Sequence, residues 1–215
     1  MSIPKVIHYC WFGRGEKSEI IQKCMKSWRV YCPDWEIIEW NEDNFDVGFC
    51  PYAAKAYKEK RWAYLSDVAR LKIIHDHGGI YLDTDVELIN SLDELLENQA
   101  WFGYATATEI GTGVGFGAVR NHPFVYKLLE QYLSFSKTKA YELCTKVDAR
   151  VFEKEYPDFA ADHDVRQEWN GVLIIENIWH YAVHHYTNTW MTKRQKWMGQ
   201  CKLIRFARKI IKGIK

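Results

Sequence analysis

The chain has 215 residues, 47% of them hydrophobic and 27% charged, which is enough for one folded domain with a full core and excludes a disordered polypeptide. The formal net charge is only +1, but nine Lys or Arg lie from Lys193 onward and no Asp or Glu follows Glu176. Taking nine from 29 basic residues leaves 20 against 28 acidic, so residues 1–192 carry −8 and are followed by a basic tail.

Six cysteines are scattered without a CxxC pair, which argues against a zinc site or a disulfide framework. The opening MSIPKVIHYCWFG lacks the basic and apolar regions of a signal peptide. No run approaches the ~20 apolar residues that span a bilayer. A reducing, cytoplasmic location is expected. Aromatic residues reach 15%, with 10 Trp and 13 Tyr, which suits stacking on rings as well as an aromatic core.

In chain order, Ile3 to Trp11 reads as a buried strand broken by Gly13-Arg14-Gly15. Ser18 to Cys32 has helical spacing and stops at Pro33. Trp35 to Trp40 is a second strand, followed by the polar loop Asn41-Glu42-Asp43-Asn44. Strand, helix, strand favours a parallel α/β sheet. Pro51 to Lys60 and Arg61 to His77 read as helices, the second ended by Gly78-Gly79. Ile80-Tyr81-Leu82 is a short buried strand. Ser91-Leu92-Asp93-Glu94 has capping-box form and predicts a helix. Trp101 to Tyr104 and Val114 to Val119 are strand candidates. The glycine-rich GTGVGFG contains a GxGxG spacing, but no helix follows it at once, so a close-packed or flexible strand near a substrate is expected rather than a dinucleotide turn. Phe124 to Phe135 and Tyr141 to Glu155 read as helices, Val172 to Ile175 and Trp179 to Tyr186 as strands.

The chemistry concentrates in Asp83-Thr84-Asp85. In an extended segment residues two apart point the same way, so both carboxylates can face one site. Hard divalent cations prefer such oxygen ligands and often share them with phosphate oxygens. The pair follows a glycine turn and a short apolar strand, which puts it at a strand's C-terminal end, where open α/β sheets bind ligands. Asp67 and Arg70 are three apart on the preceding helix, hence on one face. They read either as a donor-sugar and diphosphate grip or as a surface ion pair of little energetic weight.

The pattern SDxxRxxxxxxxGGxYxDxDVE, here Ser66-Asp67, Arg70, Gly78-Gly79, Tyr81, Asp83 and Asp85-Val86-Glu87, resembles the DxD-containing sugar-binding region of a glycosyltransferase family. That family includes bacterial capsular-polysaccharide transferases, yeast initiating mannosyltransferases and, more distantly, clostridial glucosylating toxins. IPKVIHYCWFG at the start and EWNEDNF at Glu39 to Phe45 are similar to the same family, and the resemblance covers most of residues 3–97. It implies a GT-A-type α/β fold with a mainly parallel central sheet over residues 1–192. It also implies a nucleoside-diphosphate sugar donor, UDP favoured, with Mn²⁺ or Mg²⁺, and transfer of a hexose with retained configuration to a glycan or lipid-linked acceptor.

The resemblance further implies residue roles. Trp11 would stack on the base, with Tyr9 and Phe12 completing that wall, and Asn41 would bond the base or ribose. Asp67 and Arg70 would hold the donor sugar and diphosphate, and Asp83 and Asp85 the metal. His185 is the expected third ligand, with His184 the alternative, since alternation sends the two to opposite faces. Trp190 would lie on a loop closing over the diphosphate.

The tail is independent of that resemblance. At about 100° per residue, Leu203, Ile204, Phe206, Ala207, Ile210, Ile211 and Ile214 fall on one arc, and six Lys or Arg of 202–215 on the other. A basic amphipathic helix over 193–215 suits an anionic membrane surface or packing against the domain. Aromatic residues do not interleave with its charges, so nucleic acid is not an expected partner. Two other functions share these features: an inactive nucleotide-sugar-binding scaffold, and a metal-dependent phosphohydrolase using the same carboxylates.

Overall fold

The computed structural model describes residues 2–104, 110–158, 166–169, 171–175 and 178–187. The chain opens with β1 (Val6–Cys10), α1 (Glu19–Tyr31) and β2 (Glu36–Trp40). The two strands pair in parallel from Val6 with Glu36 to Cys10 with Trp40, as strand–helix–strand order requires. Helices α2 (Pro51–Lys58) and α3 (Trp62–His77) then lead into β3 (Gly79–Tyr81), which pairs in parallel with the other edge of β1.

The turn from α3 into β3 depends on its glycines. Gly78 has φ 70° and Gly79 φ 100°, a region that side chains resist. A Cβ on Gly79 would also lie 2.9 Å from both His8 Nε2 and the Val6 carbonyl oxygen. His8 in turn bonds the Gly78 carbonyl oxygen at 3.0 Å. Helix and strand therefore join with no intervening loop, and residue 83 falls just past the strand's end.

After β4 (Val86–Leu88) come β5 (Ala100–Tyr104) and β6 (Ile110–Ala118), then α4 (Pro123–Leu133), α5 (Cys144–Glu155), β7 (Gln167–Trp169), β8 (Val172–Ile175) and β9 (Ala182–His184). The main sheet has the order β2-β1-β3-β6-β5-β8-β7. β2, β1, β3, β5 and β8 share one direction, and β6 and β7 run against it. The result is the mainly parallel α/β sheet expected of a GT-A fold. A separate ribbon pairs β4 with β9.

Strand alternation divides the core. Tyr81, Phe102 and Phe116 pack with Leu65, Val68, Phe124 and Phe152 from the helices on one face. Ile80, Leu82 and Trp101 pack with Trp28 of α1 and with Val86 and Leu88 of β4 on the other. The glycine-rich run lies within β6 as a close-packed strand. A Cβ on Gly117 would lie 2.6 Å from Trp101 Nε1.

Strands β4 and β7 have no counterpart in the sequence reading, β6 starts at Ile110 rather than Val114, and three further elements differ from it. After Ser91 only a short 3-10 turn forms, Asp93–Glu97, because the Ser91 hydroxyl is taken up by the Asp93 backbone and carboxylate. The segment after β8 is a 3-10 turn, Ile178–His180, before β9. Helix α5 starts at Cys144 rather than Tyr141, since Tyr141 is stacked on Tyr64 and bonded to Glu59. The five described cysteines are free thiols. Among the described residues no helix is long and apolar enough to cross a membrane. The expected boundary at 192/193 and the helix 193–215 lie outside the described residues.

Candidate active site

Asp83 and Asp85 follow β3 as expected, but a turn rather than an extended segment brings them together. The Val86 amide donates to the Asp83 carbonyl oxygen at 3.0 Å, which folds 83–86 back and lets β4 pair with β9. In that ribbon Val86 faces His184, and the His185 amide donates to the Asp85 carbonyl oxygen at 3.0 Å. His184 Nε2 then lies 3.0 Å from Asp85 Oδ1. One ligand atom from each of Asp83, Asp85 and His184 falls within 4.8 Å of the others.

The structure brings His184, and not the expected His185, to the two aspartates. His185 points away from the two aspartates, and its Nε2 lies 2.7 Å from Glu87 Oε2. Glu87 also pairs with Lys23 of α1 at 2.9 Å. Asp85 lies in the turn before β4 rather than in the strand, and from there its carboxylate meets His184, which pairs with Val86.

Beneath the aspartates sits a buried ion pair. Arg70 and Asp67 are 3% and 6% exposed and 2.7 Å apart, so the surface-pair reading does not hold. Arg70 Nε also donates to the Ser66 carbonyl oxygen at 3.1 Å, and its guanidinium lies 5.0 Å from the Tyr81 ring and 3.5 Å from Asp83 Oδ1. Tyr81 donates to that same Asp83 oxygen at 3.0 Å. Burial works against the Arg70 charge, but Asp83 and Asp67 more than offset it and raise its pKa. Burial pushes Asp67 up to about 7 despite Arg70, with Asp83 and Asp148 adding to the rise. It raises Asp83 as well, with the Asp85 charge adding to the effect against Arg70.

Sequence reasoning missed the opposite wall. β6 and α5 close the site with Thr112, Gly113, Cys144 and Asp148. Asp148 is fully buried and its Oδ2 accepts from both the Thr112 amide and hydroxyl at 3.0 Å. This fixes Gly113, where a Cβ would lie 3.1 Å from Arg70 Nη1, 3.4 Å from Asp83 Oδ2 and 3.8 Å from Cys144 Sγ. The one available signal was the spacing of Cys144 and Asp148, four apart and so on one helix face.

The donor set fits a divalent cation with a diphosphate. Asp67, Asp83 and Asp148 act on the Arg70 guanidinium and Asp85 lies beside Asp83, an excess of negative charge that a cation would offset. Two carboxylates and an imidazole suit Mn²⁺, and the carboxylates suit Mg²⁺. Arg70 Nη1 is buried with no hydrogen-bond partner among the described residues, a donor that a phosphate oxygen would satisfy.

The residues expected to bind the base are only partly brought together. Trp11 follows β1, half-buried, with its indole N–H donating to the Gly15 carbonyl oxygen at 2.8 Å. Lys17 Nζ lies 5.1 Å from its ring and pairs with Glu39 at 2.8 Å. Tyr9 shares Trp11's face but is buried against Trp28, with its hydroxyl donating to Glu39 at 2.6 Å. Asn41 Nδ2 donates to the same carboxylate at 3.0 Å. Phe12 does not join this wall. It points to the opposite face and packs on Phe45 in the helix-side core, as alternation after Trp11 dictates. Trp190 lies outside the described residues.

Comparison with known proteins agrees with this geometry. Residues 18–101 match the family described as a glycosyltransferase sugar-binding region containing a DXD motif. Inositol phosphoceramide mannosyltransferase 3 of Schizosaccharomyces pombe is 30% identical over 63% of this chain and 38% of its own length. Mannosyl phosphorylinositol ceramide synthase SUR1 of Saccharomyces cerevisiae is 25% identical over 94% of this chain and 54% of its own. The chain thus spans about half, or less, of the length of these curated relatives. Among solved structures the PaToxG glycosyltransferase superposes with a TM-score of 0.58 at 18% identity, covering 73% of this chain and 71% of that one, a likeness of fold. Residues 18–101 are thus similar to the sugar-binding region of DXD glycosyltransferases, and the chain has a GT-A fold.

Proposed function

We propose that this chain is a retaining, metal-dependent hexosyltransferase that moves a hexose from a nucleoside-diphosphate sugar to a hydroxyl of a glycan or lipid-linked glycan. The observation that carries this reading is the grouping of Asp83, Asp85 and His184 within 4.8 Å, with the unpartnered Arg70 Nη1 alongside. The two yeast relatives are named for mannosyl and inositol-phosphoceramide chemistry. This supports mannose as the hexose and an inositol-phosphate lipid as the acceptor, while the sequence resemblance favours UDP as the carrier.

Asp83, Asp85 and His184 would hold Mn²⁺ or Mg²⁺, which supplies charge neutralisation on the departing diphosphate. Arg70 adds its Nη1 donor to a diphosphate oxygen in a site shielded from water, where such contacts count most. Asp67, held by Arg70, accepts from a hydroxyl of the donor sugar. Trp11 and Asn41 bind the nucleoside. The acceptor hydroxyl attacks from the face the diphosphate leaves, and a diphosphate oxygen takes its proton. The tail 193–215 rests on the cytoplasmic face of a membrane, near a lipid acceptor.

Incubation with a panel of UDP- and GDP-hexoses, Mn²⁺ and an inositol-phosphate lipid tests the reading. Transfer, or slow donor hydrolysis without acceptor, is expected. Nucleotide-sugar binding with neither reaction would replace it with the inactive scaffold. Cleavage of simple phosphate esters alone would replace it with the phosphohydrolase.

A further inference from the structure

On the α3 side the rim of the site is one surface made from two segments. Lys55 Nζ of α2 donates to the Lys139 carbonyl oxygen at 2.8 Å and lies 4.5 Å from the Tyr141 ring. Tyr141 stacks on Tyr64 with ring centroids 4.5 Å apart. Tyr64 sits one turn before Asp67, and its phenol is pushed up by burial and by the Asp67 charge. Leu143 directly precedes Cys144, whose sulfur approaches Gly113 beside Arg70. The surface is therefore continuous with the site.

Its charge is opposite to that of the rest of the body. Residues 55–61 hold four basic and one acidic side chain, and residues 137–146 three basic and one acidic, +5 together. Since residues 1–192 carry −8, everything else in them carries −13. Lys58, Lys60, Arg61 and Lys137 are exposed and have no ion-pair partner among the described residues. The same two segments carry two exposed apolar side chains, Tyr57 at 36%, which leans on Trp62, and Leu143 at 46%.

Unpaired cations around protruding apolar groups match an anionic bilayer: the cations meet lipid phosphates and the apolar groups enter the interface. A nucleic acid fits less well, because Tyr64 and Tyr141 are stacked on each other and Lys55 covers Tyr141, which leaves few ring faces for bases.

We propose that this rim is a docking surface for an anionic lipid bilayer and holds the mouth of the site against the membrane. Its purpose rests on the reading of a lipid acceptor, but the binding itself does not. A lipid hydroxyl then reaches the donor site without its chains leaving the bilayer. The rim is built from residues 55–61 and 137–146 and owes nothing to the tail.

The test compares the full chain with two variants in flotation with phosphatidylcholine vesicles, with and without phosphatidylglycerol. One variant is Lys58→Glu/Lys60→Glu/Lys137→Glu. The other is Leu143→Ser, which places a capping residue before α5 and so favours folding. The triple variant should bind phosphatidylglycerol vesicles about tenfold more weakly or worse, and Leu143→Ser should bind them more weakly too. Donor hydrolysis in vesicle-free solution should match the parent in both. Unchanged vesicle binding by the triple variant would overturn the proposal, as would an equal loss on neutral vesicles. Absence of donor hydrolysis in the parent would instead count against the transferase reading and leave the vesicle comparison standing.

Discussion

Gly113 and Arg70 meet across the site with no room for a side chain: a Cβ at position 113 would lie 3.1 Å from Arg70 Nη1. Arg70 has little freedom to yield, since Asp67, the Ser66 carbonyl and the Tyr81 ring hold it from three sides. Gly113 is not among the glycines with positive φ, so alanine carries no backbone strain there and lowers the entropy of the unfolded chain. Gly113→Ala should therefore cost about 1–3 kcal/mol of stability, since crowding a held, buried side chain outweighs the gain in unfolded-state entropy. It should lower donor turnover about tenfold or more by displacing the guanidinium. Steady-state kinetics beside a thermal melt will separate the two effects, and unaltered turnover would show that Arg70 is not held for the donor.

The two histidines separate in the same way. Asp85→Asn should abolish metal-dependent turnover. His184→Gln should weaken Mn²⁺ binding severely, because it removes one of the three grouped ligands. His185→Gln touches only the Glu87 contact and should leave Mn²⁺ affinity within about threefold, since residues outside the ligand set tune affinity more weakly. Initial rates with Mn²⁺ read the first variant and calorimetric titration of Mn²⁺ the other two, and equal losses in the two histidine variants would refute the assignment.

What could be read from the sequence was local. The glycines after α3, the short apolar strand and the carboxylates beyond it lie within a few residues of one another, and each step has a chemical reason. His184 could not be chosen over His185 in that way. The choice depends on how the turn at Thr84-Asp85 aims the Asp85 carboxylate at β9, about a hundred residues later in the chain. Asp148 and Gly113 were hidden for a similar reason, since they acquire meaning only when α5 packs on β6. Phe12 is different: alternation after Trp11 already separated the two side chains, and grouping them followed the resemblance instead.

Trp11 should act on donor binding. Its ring is half-buried, with Lys17 5.1 Å from it. Base–aromatic stacking is worth about 1–3 kcal/mol, so Trp11→Ala should raise the donor KM about tenfold while kcat changes little. Lys17 is tied to Glu39, so the cation keeps its place in the variant. An unaltered KM in initial-rate measurements would return Trp11 to a purely structural role.

Asp148 should set part of the pH dependence of stability. Burial pushes its carboxyl from 3.8 up to about 6, against the two hydrogen bonds from Thr112. The folded chain then holds this proton more tightly than the unfolded chain. The stability this provides is complete below 3.8 and is lost as pH rises through about 6. Two pH units at about 1.4 kcal/mol each come to about 3 kcal/mol. In Asp148→Asn the amide oxygen can still accept both bonds from Thr112, and the NH₂ takes the place of the unpartnered Oδ1. The variant should therefore match the parent near pH 4 and be more stable near pH 7, while the contributions of Asp67, pushed up by burial, and His8, pushed down by it, are common to both chains. Thermal unfolding of both chains across that range is the measurement. Parallel curves for parent and variant would mean that Asp148 does not titrate there.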